Sequence, residues 1–337
     1  MRTATMQASI YNEFGAPDVL HLEEVERPQP KSDEVLVSVF AHSVNYGDLT
    51  ARNFPGIPAK EFHMPGLLRF AARLAFGLRH PAQPVLGSEF AGVVESTGAA
   101  VTRFAVGDRV YGYLGQTMGA SAEYLTISED KAIAHAPANL SMEEAATIPY
   151  GALMAMNLLK KTPLTDGMRV LVIGASGGIG SAAVQLARIA GAHVTGVAGT
   201  KRLPYVTALG AERVIDYTRE DITGVPVKYD LIIDVLGKSS FKTVSPIMTT
   251  DGRYLRVSFK LRELLQSAWT GLFSSRKVIV GLATEQQGDL DQIRELVESG
   301  SYTTVVDRCF PLAAAADAHR YMESGSRSGN VVITLDK

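Results

Sequence analysis

The stretch Val170-Leu-Val-Ile-Gly-Ala-Ser-Gly-Gly-Ile-Gly-Ser-Ala-Ala-Val184 decides the fold of this 337-residue chain. An apolar strand leads into a glycine-rich turn, and the turn leads into an alanine-rich helix. Glycine lets the backbone approach a phosphate closely, and the free N–H groups at the start of a helix attract the anion. This order predicts a dinucleotide-binding loop, with a tight turn that binds no ligand as the alternative. The predicted contacts in the loop are Ala175, Ser176, Gly177, Gly178, Ile179 and Gly180.

The segment after the next apolar strand indicates which nucleotide is bound. An NAD site places Asp or Glu about 20 residues into the motif, where the carboxylate holds the ribose 2′-hydroxyl. That position falls near Gly199, and Gly199–Arg202 contains no carboxylate. The hydroxyl of Thr200 and the cations of Lys201 and Arg202 suit a 2′-phosphate, and they predict NADPH. A solvated basic helix start is the alternative interpretation.

The ends of two further strands are expected beside the nucleotide. Tyr217 follows a third apolar strand and is predicted to flank the adenosine. Asp234-Val-Leu-Gly237 ends a fourth strand, and its glycine permits a close approach of the chain to the cofactor. Val235 and Leu236 are therefore predicted cofactor contacts, with a plain strand-end turn as the alternative.

Composition narrows the class of protein. A chain of 337 residues with 46% hydrophobic residues exceeds one typical domain, so we expect two. The net charge of −2 gives no electrostatic basis for binding nucleic acid. The single cysteine, Cys309, is expected to be a buried structural thiol, and a chain without disulfides suits the cytoplasm. Neither a signal peptide nor a long apolar run is apparent, so we expect no membrane span.

Two styles of secondary structure succeed one another along the chain. Short, glycine-punctuated strands such as Glu34–Phe40 are typical of a barrel-like β domain. After a predicted capping box at Ser141–Glu144, strands and helices alternate to about residue 285, which indicates a parallel doubly wound sheet. The tail from Thr303 to Leu335 predicts strand, helix and strand, and is expected to return to the first domain. We therefore expect an α/β protein with a β domain at 1–140, completed by 290–337, and a nucleotide-binding domain at 141–289.

Motifs across nearly the whole chain carry a family resemblance. They are Val44–Asp48 (V-N-x-x-D), Leu86–Glu95, Gly107–Tyr111, Ala122–Tyr124, Ala145–Pro149, the glycine loop and Gly329–Ile333. In this order they resemble the medium-chain dehydrogenase/reductase superfamily, in its zinc-independent quinone oxidoreductase and enoyl reductase branch. The resemblance implies a GroES-like β-barrel domain plus a doubly wound Rossmann domain, a homodimer, and further cofactor contacts at Thr147, Gly151 and Asn330.

The residues at the positions of a catalytic zinc site argue against a metal. Zinc-dependent relatives place Cys where Asn45 stands and His where Ser88 stands, because zinc favours thiolate and imidazole ligands. Glu89 alone cannot hold the ion, and the seven histidines show no ligand spacing. We therefore expect no zinc and no other metal.

Without a metal, the cofactor must reduce an electron-poor carbon, as in a quinone or an α,β-unsaturated carbonyl compound. In the turn marked by the resemblance, Tyr46 is the candidate proton donor, with a pocket-lining tyrosine as the alternative. Asn45 is the candidate to hydrogen-bond the substrate oxygen or the nicotinamide ribose. An enoyl-thioester reductase and a non-catalytic NADPH-binding sensor or interaction protein are alternative functions. Enoyl reductases resembling this chain carry a donor tyrosine where Phe54-Pro-Gly56 stands here, which disfavours the former.

Two segments carry apolar stripes at helical spacing. Ile57–Pro84 is longer than the usual family link and contains a predicted basic amphipathic helix at Gly66–Arg79. Lys260–Lys277 has a similar pattern. The alternatives are local packing and an apolar lid or peripheral membrane contact, through 57–80 in particular, that receives a lipophilic substrate. The stripes comprise Leu67, Phe70, Leu74 and Leu78 in the first segment, and Leu261, Leu264, Leu265, Trp269 and Leu272 in the second.

Overall fold

A computed structural model describes residues 4–58, 66–224, 226–281 and 288–335, without the side chains of 66–68. The described residues divide into two compact units. The first lies within Met1–Pro58, Ala71–Tyr150 and Glu285–Lys337, and the second within Ala59–Phe70 and Gly151–Thr284. The domain limits expected at 140/141 and 289/290 stay a proposal about the functional division of the chain.

The strands and α-helices are numbered in chain order. The strands are β1 (Thr5–Ile10), β2 (His21–Glu26), β3 (Glu34–Val44), β4 (Glu89–Thr97), β5 (Arg109–Tyr113), β6 (Tyr124–Ser128), β7 (Ile133–His135), β8 (Arg169–Ile173), β9 (His193–Ala198), β10 (Arg213–Asp216), β11 (Tyr229–Asp234), β12 (Met248–Arg256), β13 (Lys277–Val280), β14 (Val306–Pro311) and β15 (Asn330–Thr334). The helices are α1 (Tyr46–Arg52), α2 (Gly66–Phe76), α3 (Met142–Ala145), α4 (Pro149–Lys160), α5 (Gly178–Ile189), α6 (Leu203–Ala208), α7 (Phe241–Val244), α8 (Leu261–Phe273), α9 (Asp289–Glu298) and α10 (Ala315–Glu323).

The first unit contains a seven-stranded sheet in the order β14-β15-β3-β4-β5-β7, with β6 also paired to β3. Nearly every residue of β3 is buried, because the strand is central and both of its faces are covered. Its valines pack with Phe90 and Val110 in the apolar core. The tail returns as predicted, since β15 pairs antiparallel with β3 in the register Val331↔Val44.

The second unit is a six-stranded sheet in the order β10-β9-β8-β11-β12-β13. Each neighbouring pair is parallel, which confirms the doubly wound prediction. Its core packs Leu171, Val197 and Ile232 from three successive strands of the sheet. The strand order reverses between β8 and β11, and ligands of such sheets bind outside the carboxyl ends of the strands at this point.

Candidate active site

The glycine loop lies at the reversal point, between the end of β8 and the start of α5. Gly174 has a φ of +87°, a left-handed conformation that favours glycine. Gly177 is the N-cap residue of α5, and no side chain caps the helix. The first backbone N–H groups of α5 are therefore not covered by a capping side chain, as an anion site at a helix start requires.

The glycines of the loop have different roles. A Cβ on Gly180 would lie 2.1 Å from the carbonyl oxygen of Gly174, and one on Gly151 would lie 2.5 Å from that of Gly178. These two glycines allow close backbone packing. Among the described residues other than its two chain neighbours, a Cβ on Gly177 would have only the Gly174 oxygen within 4 Å, at 3.5 Å. The space in front of Gly177 is open, so these residues fit a dinucleotide pyrophosphate.

The loop after β11 adjoins the glycine loop. A Cβ on Gly174 would lie 2.9 Å from Cγ of Leu236. The buried Asp234 carboxylate fixes this second loop by accepting hydrogen bonds from the backbone N–H of Gly237 (2.8 Å) and of Ser239 (2.9 Å). Arg256 donates to the carbonyls of both residues. Sequence reasoning missed the anchoring role of Asp234 and Arg256, since only the contacts along the folded loop show it.

The predicted 2′-phosphate site contains a carboxylate that sequence reasoning missed. The register Asp216↔Ala198 places the end of β10 beside the Gly199–Arg202 turn. The Thr200 hydroxyl donates to the Asp216 carboxylate. Hydrogen bonds from Thr200 and Thr218 hold the pKa of Asp216 below its usual value. The proton of Thr200 is therefore already engaged by a charged acceptor.

The two cations of the predicted 2′-phosphate site lie in different surroundings: Arg202 faces the glycine loop and Lys201 faces solvent. Arg202 Nη1 lies 3.5 Å from the Ser176 hydroxyl oxygen, and Lys201 is exposed. Tyr217 is 62% exposed, and a Cβ on Gly199 would lie 3.4 Å from its hydroxyl oxygen. Ser176, Lys201, Arg202 and Tyr217 thus occupy the same end of the second unit.

In the first unit, Asn45 holds the turn that precedes α1. It is the N-cap residue, and its Oδ1 accepts from the Gly47 N–H at 2.8 Å. The Asp48 carboxylate accepts from the Asn45 backbone N–H at 2.8 Å and so completes a capping box. The side-chain amide of Asn45 donates to the Ser88 hydroxyl oxygen at 2.7 Å. In this arrangement Asn45 acts first as a structural residue.

Glu89 is a buried carboxylate beside this turn. It accepts hydrogen bonds from the Ser43 hydroxyl and from the Tyr150 backbone N–H, the latter at 2.7 Å. Burial raises the pKa of Glu89 to about 7, and burial likewise raises the pKa of Asp48 to about 7. Sequence reasoning considered Glu89 only as a zinc ligand. Its role as a buried hydrogen-bond acceptor has one signal in the sequence, which is a carboxylate at the start of an apolar strand.

Tyr46 begins α1 and is 59% exposed. Its side chain is therefore largely open to solvent. The rings of Tyr113 and Tyr150 lie 5.9 Å apart in the same unit. This geometry permits a proton donor at Tyr46 and equally permits a pocket-lining ring.

Thr147 and Asn330 are brought together through a third residue of the first unit. The Thr147 and Thr304 hydroxyl oxygens lie 2.6 Å apart, and Asn330 Nδ2 donates to Thr304 at 3.3 Å. The predicted site residues therefore form two groups, one in each unit. The first unit contains Asn45, Tyr46, Thr147 and Asn330, and the second contains Gly151, the glycine loop, Thr200, Lys201, Arg202, Tyr217, Val235 and Leu236.

Three further expectations concern metal, membrane and cysteine. Within residues 4–58, 66–224, 226–281 and 288–335, no group of three or more His, Cys, Asp or Glu side chains could hold a metal. No helix in these ranges is long and apolar enough to cross a bilayer. The expectation of a buried Cys309 is wrong, because this residue is exposed on β14, which lies at the edge of its sheet.

A doubly wound parallel sheet with an open glycine loop, together with a separate β unit, defines a class of dinucleotide-dependent oxidoreductases. Family models agree: "Alcohol dehydrogenase GroES-like domain" matches residues 31–138, and "Zinc-binding dehydrogenase" matches residues 209–333. The chain belongs to the medium-chain dehydrogenase/reductase superfamily, in its quinone oxidoreductase branch. This confirms the resemblance and the expected fold class.

Individual relatives match over nearly the whole chain. A chloroplastic NADPH-dependent alkenal/one oxidoreductase of Arabidopsis thaliana is 30% identical over 97% of this chain and 79% of its own length. The chloroplastic quinone-oxidoreductase QR1 of Triphysaria versicolor is 30% identical over 97% of this chain and 98% of its own. The structure of the quinone oxidoreductase from Coxiella burnetii has a TM-score of 0.84 and 27% identity, covering 99% of this chain and 100% of that one.

Proposed function

We propose that the protein uses NADPH to reduce a quinone or an α,β-unsaturated carbonyl compound. The observation that supports this most directly is the glycine loop, open in front of Gly177 and flanked by Arg202. The relatives are named for both kinds of acceptor, a quinone and an alkenal or enone. In the balanced reaction, NADPH, one proton and the oxidised acceptor give NADP⁺ and the acceptor reduced by two electrons.

Each unit contributes different residues to this reaction. When bound, NADPH supplies the reducing equivalents. The loop N–H groups and the start of α5 bind the pyrophosphate, while Lys201 and Arg202 bind the 2′-phosphate. Tyr46 donates the proton to the reduced acceptor, and Asn45 keeps the turn of Tyr46 in place. No catalytic zinc takes part, so dialysis against a chelator leaves the rate unchanged.

A single assay distinguishes this proposal from its alternatives. Purified protein and NADPH are mixed with phenanthrenequinone, trans-2-nonenal or crotonyl-CoA, and loss of NADPH absorbance is followed. We expect turnover with the quinone or the alkenal, and a fall of about 10²-fold or more in kcat for Tyr46→Phe with the alkenal. Turnover of crotonyl-CoA alone would identify an enoyl-thioester reductase. NADPH binding without turnover of any acceptor would indicate a sensor and would overturn the proposal.

The nucleotide preference has its own test, which does not depend on turnover. Calorimetry compares 2′,5′-ADP with 5′-AMP, which differ by the phosphate that Arg202 is proposed to bind. Arg202→Gln should lower the affinity for 2′,5′-ADP by roughly tenfold or more, because a charge-assisted hydrogen bond is lost. The affinity for 5′-AMP should stay unchanged. Arg213→Gln, at the opposite end of β10, is the matched control. Equal effects of Arg202→Gln on both ligands would contradict the assignment.

Location and assembly stay predictions. We infer a homodimer from the family, a cytoplasmic location from the single cysteine, and a peripheral membrane contact through 57–80 from its apolar stripe. Several relatives carry "chloroplastic" or "mitochondrial" in their names, so the compartment differs among them. Of the 57–80 segment, residues 59–65 lie outside the described ranges, and Phe70, Leu74 and Leu78 are exposed.

A further inference from the structure

Helix α8 presents its apolar residues to solvent and its polar residues to its own unit. Five large apolar residues each expose between 55 and 78% of their surface: Leu261, Leu265, Trp269, Leu272 and Phe273. They follow the spacing of one helical face, with Leu264 beside them. The opposite side carries Glu263, which is half-buried, and Thr270, which is fully buried. This arrangement is the reverse of a helix that packs through its apolar stripe.

Polar contacts fix the orientation of α8. The Thr270 hydroxyl oxygen accepts from the Val278 N–H at 3.0 Å, which ties the helix to β13. Lys277 Nζ donates to the carbonyl of Thr270 at 3.1 Å. Glu263 lies 3.6 Å from the guanidinium of Arg256. Rotating α8 to hide its apolar face would break these contacts and leave buried polar groups without partners, so the exposed stripe is built into the fold.

The chemistry around the stripe favours a lipid surface. Of the four cations in residues 260–277, Arg276 and Lys277 donate to backbone carbonyls of their own unit, which leaves two for the exposed surface. Lys260 and Arg262 are exposed at the start of the helix, and the carboxylate, Glu263, is held by Arg256. Trp269 and Phe273 form an exposed aromatic pair with ring centroids 6.4 Å apart. Exposed Trp, Phe and Leu beside cations are typical of helices that lie in the interface of an anionic bilayer.

We propose that the α8 face is a docking surface for a lipid bilayer that carries anionic headgroups. The helix lies in the plane of the interface, with Leu265, Trp269 and Leu272 inserted among the acyl chains near the headgroups. Lys260 and Arg262 contact the headgroups and add an attraction that salt weakens. This docking does not depend on the proposed reaction, although it would bring the protein to the phase in which lipophilic quinones dissolve.

The fluorescence of Trp269 can report bilayer docking directly, because this residue is the single tryptophan of the chain. Full-length protein is titrated with phosphatidylcholine vesicles prepared with or without phosphatidylglycerol. We expect a blue shift of the tryptophan emission and quenching by brominated acyl chains. Partitioning should be roughly tenfold or more stronger with phosphatidylglycerol, and the difference should shrink at high salt. An unchanged emission spectrum with both vesicle types would overturn the proposal.

Substitutions on α8 test which of its residues contact the bilayer. Leu265→Glu combined with Leu272→Glu keeps Trp269 and should reduce vesicle co-sedimentation by about tenfold or more. Val106→Glu, at an equally exposed valine of the first unit, should have no effect. Lys260→Glu with Arg262→Glu should abolish the preference for phosphatidylglycerol. If instead light scattering without lipid shows a dimer that only the Leu265/Leu272 variant dissociates, a second copy covers the face and the proposal is wrong.

Discussion

Asn45 donates a hydrogen bond from its side-chain amide to the Ser88 hydroxyl oxygen over 2.7 Å. The family resemblance implies that zinc-dependent relatives carry a cysteine and a histidine at these two positions. The bond connects the N-cap of α1 to the start of β4, and both residues are buried. The contact therefore joins two neutral, buried side chains.

Replacing Asn45 with Ala should lower the free energy of unfolding by about 1–2 kcal/mol, because α1 loses its N-cap. Ser88→Ala should cost about 1 kcal/mol, since it removes one hydrogen bond. Urea denaturation measures both, with the exposed Asn12→Ala as control. If Asn45→Ala were as stable as the wild type, the capping role described for this side chain would be wrong.

Gly177 and Gly180 provide a matched pair for the nucleotide loop. Gly180→Ala forces a Cβ against the Gly174 carbonyl and should destabilise the fold by roughly 2–3 kcal/mol. Gly177→Ala has room for its Cβ and should change the free energy of unfolding by less than about 1 kcal/mol. It should nevertheless lower the affinity for NADPH about tenfold or more, because the Cβ blocks the approach of the pyrophosphate. Chemical denaturation and calorimetry measure the two effects. Normal NADPH affinity in Gly177→Ala would place the pyrophosphate elsewhere.

The glycine stretch and its flanking strand and helix were predictable because every signal there is local. The capping box at Ser141–Glu144 was predicted for the same reason and is confirmed. Asp216 was missed since sequence spacing does not reveal that β10 pairs with β9 and brings this carboxylate to Thr200. Long-range contacts likewise decide the surroundings of Glu89.

For α8, the sequence indicated an apolar stripe but not the direction that it faces. Periodicity reports which residues share a helix face. The polar anchors at Glu263 and Thr270 then decide which face packs on the unit. Such anchors depend on partners in other elements, so the local pattern does not contain them.

The contact between Thr200 and Asp216 changes one expectation about NADPH binding. An ionised carboxylate only accepts hydrogen bonds, so the Thr200 hydroxyl gives its one proton to Asp216 and not to a phosphate. Thr200→Val should leave the affinity for 2′,5′-ADP within about twofold and should lower the free energy of unfolding, because Asp216 loses a donor. If calorimetry showed that Thr200→Val lowers the affinity for 2′,5′-ADP as much as Arg202→Gln does, Thr200 would contact the phosphate.

Two buried histidines of the first unit should each oppose folding in acid. The Arg52 guanidinium lies 2.9 Å from Nδ1 of His319. Arginine only donates, so Nδ1 accepts and the ring is neutral. Burial, with Arg52 and His42 nearby, holds the pKa of His319 well below its usual 6.5, and burial lowers the pKa of His42 to about 4. The folded protein thus keeps both rings neutral where the unfolded chain protonates them.

Below pH 6.5 the unfolded state binds a proton at each of these histidines that the folded state does not, so both lower the free energy of unfolding as the pH drops from 6.5 toward 4. The raised pKa values of Glu89 and Asp48 act in the opposite direction over the same range, so the histidine contribution is obtained as a difference between variants. Each histidine contributes up to about 1.4 kcal/mol per pH unit. His319→Asn retains an acceptor for Arg52 and removes one titrating ring, so its free energy of unfolding should rise relative to that of the wild type as the pH falls from 6.5 toward 4. Urea denaturation at several pH values compares it with the wild type and with His21→Asn, an exposed control. Glu89 and Asp48 contribute to all three proteins alike, so parallel pH profiles of His319→Asn and wild type would show that the fold does not lower the pKa of His319.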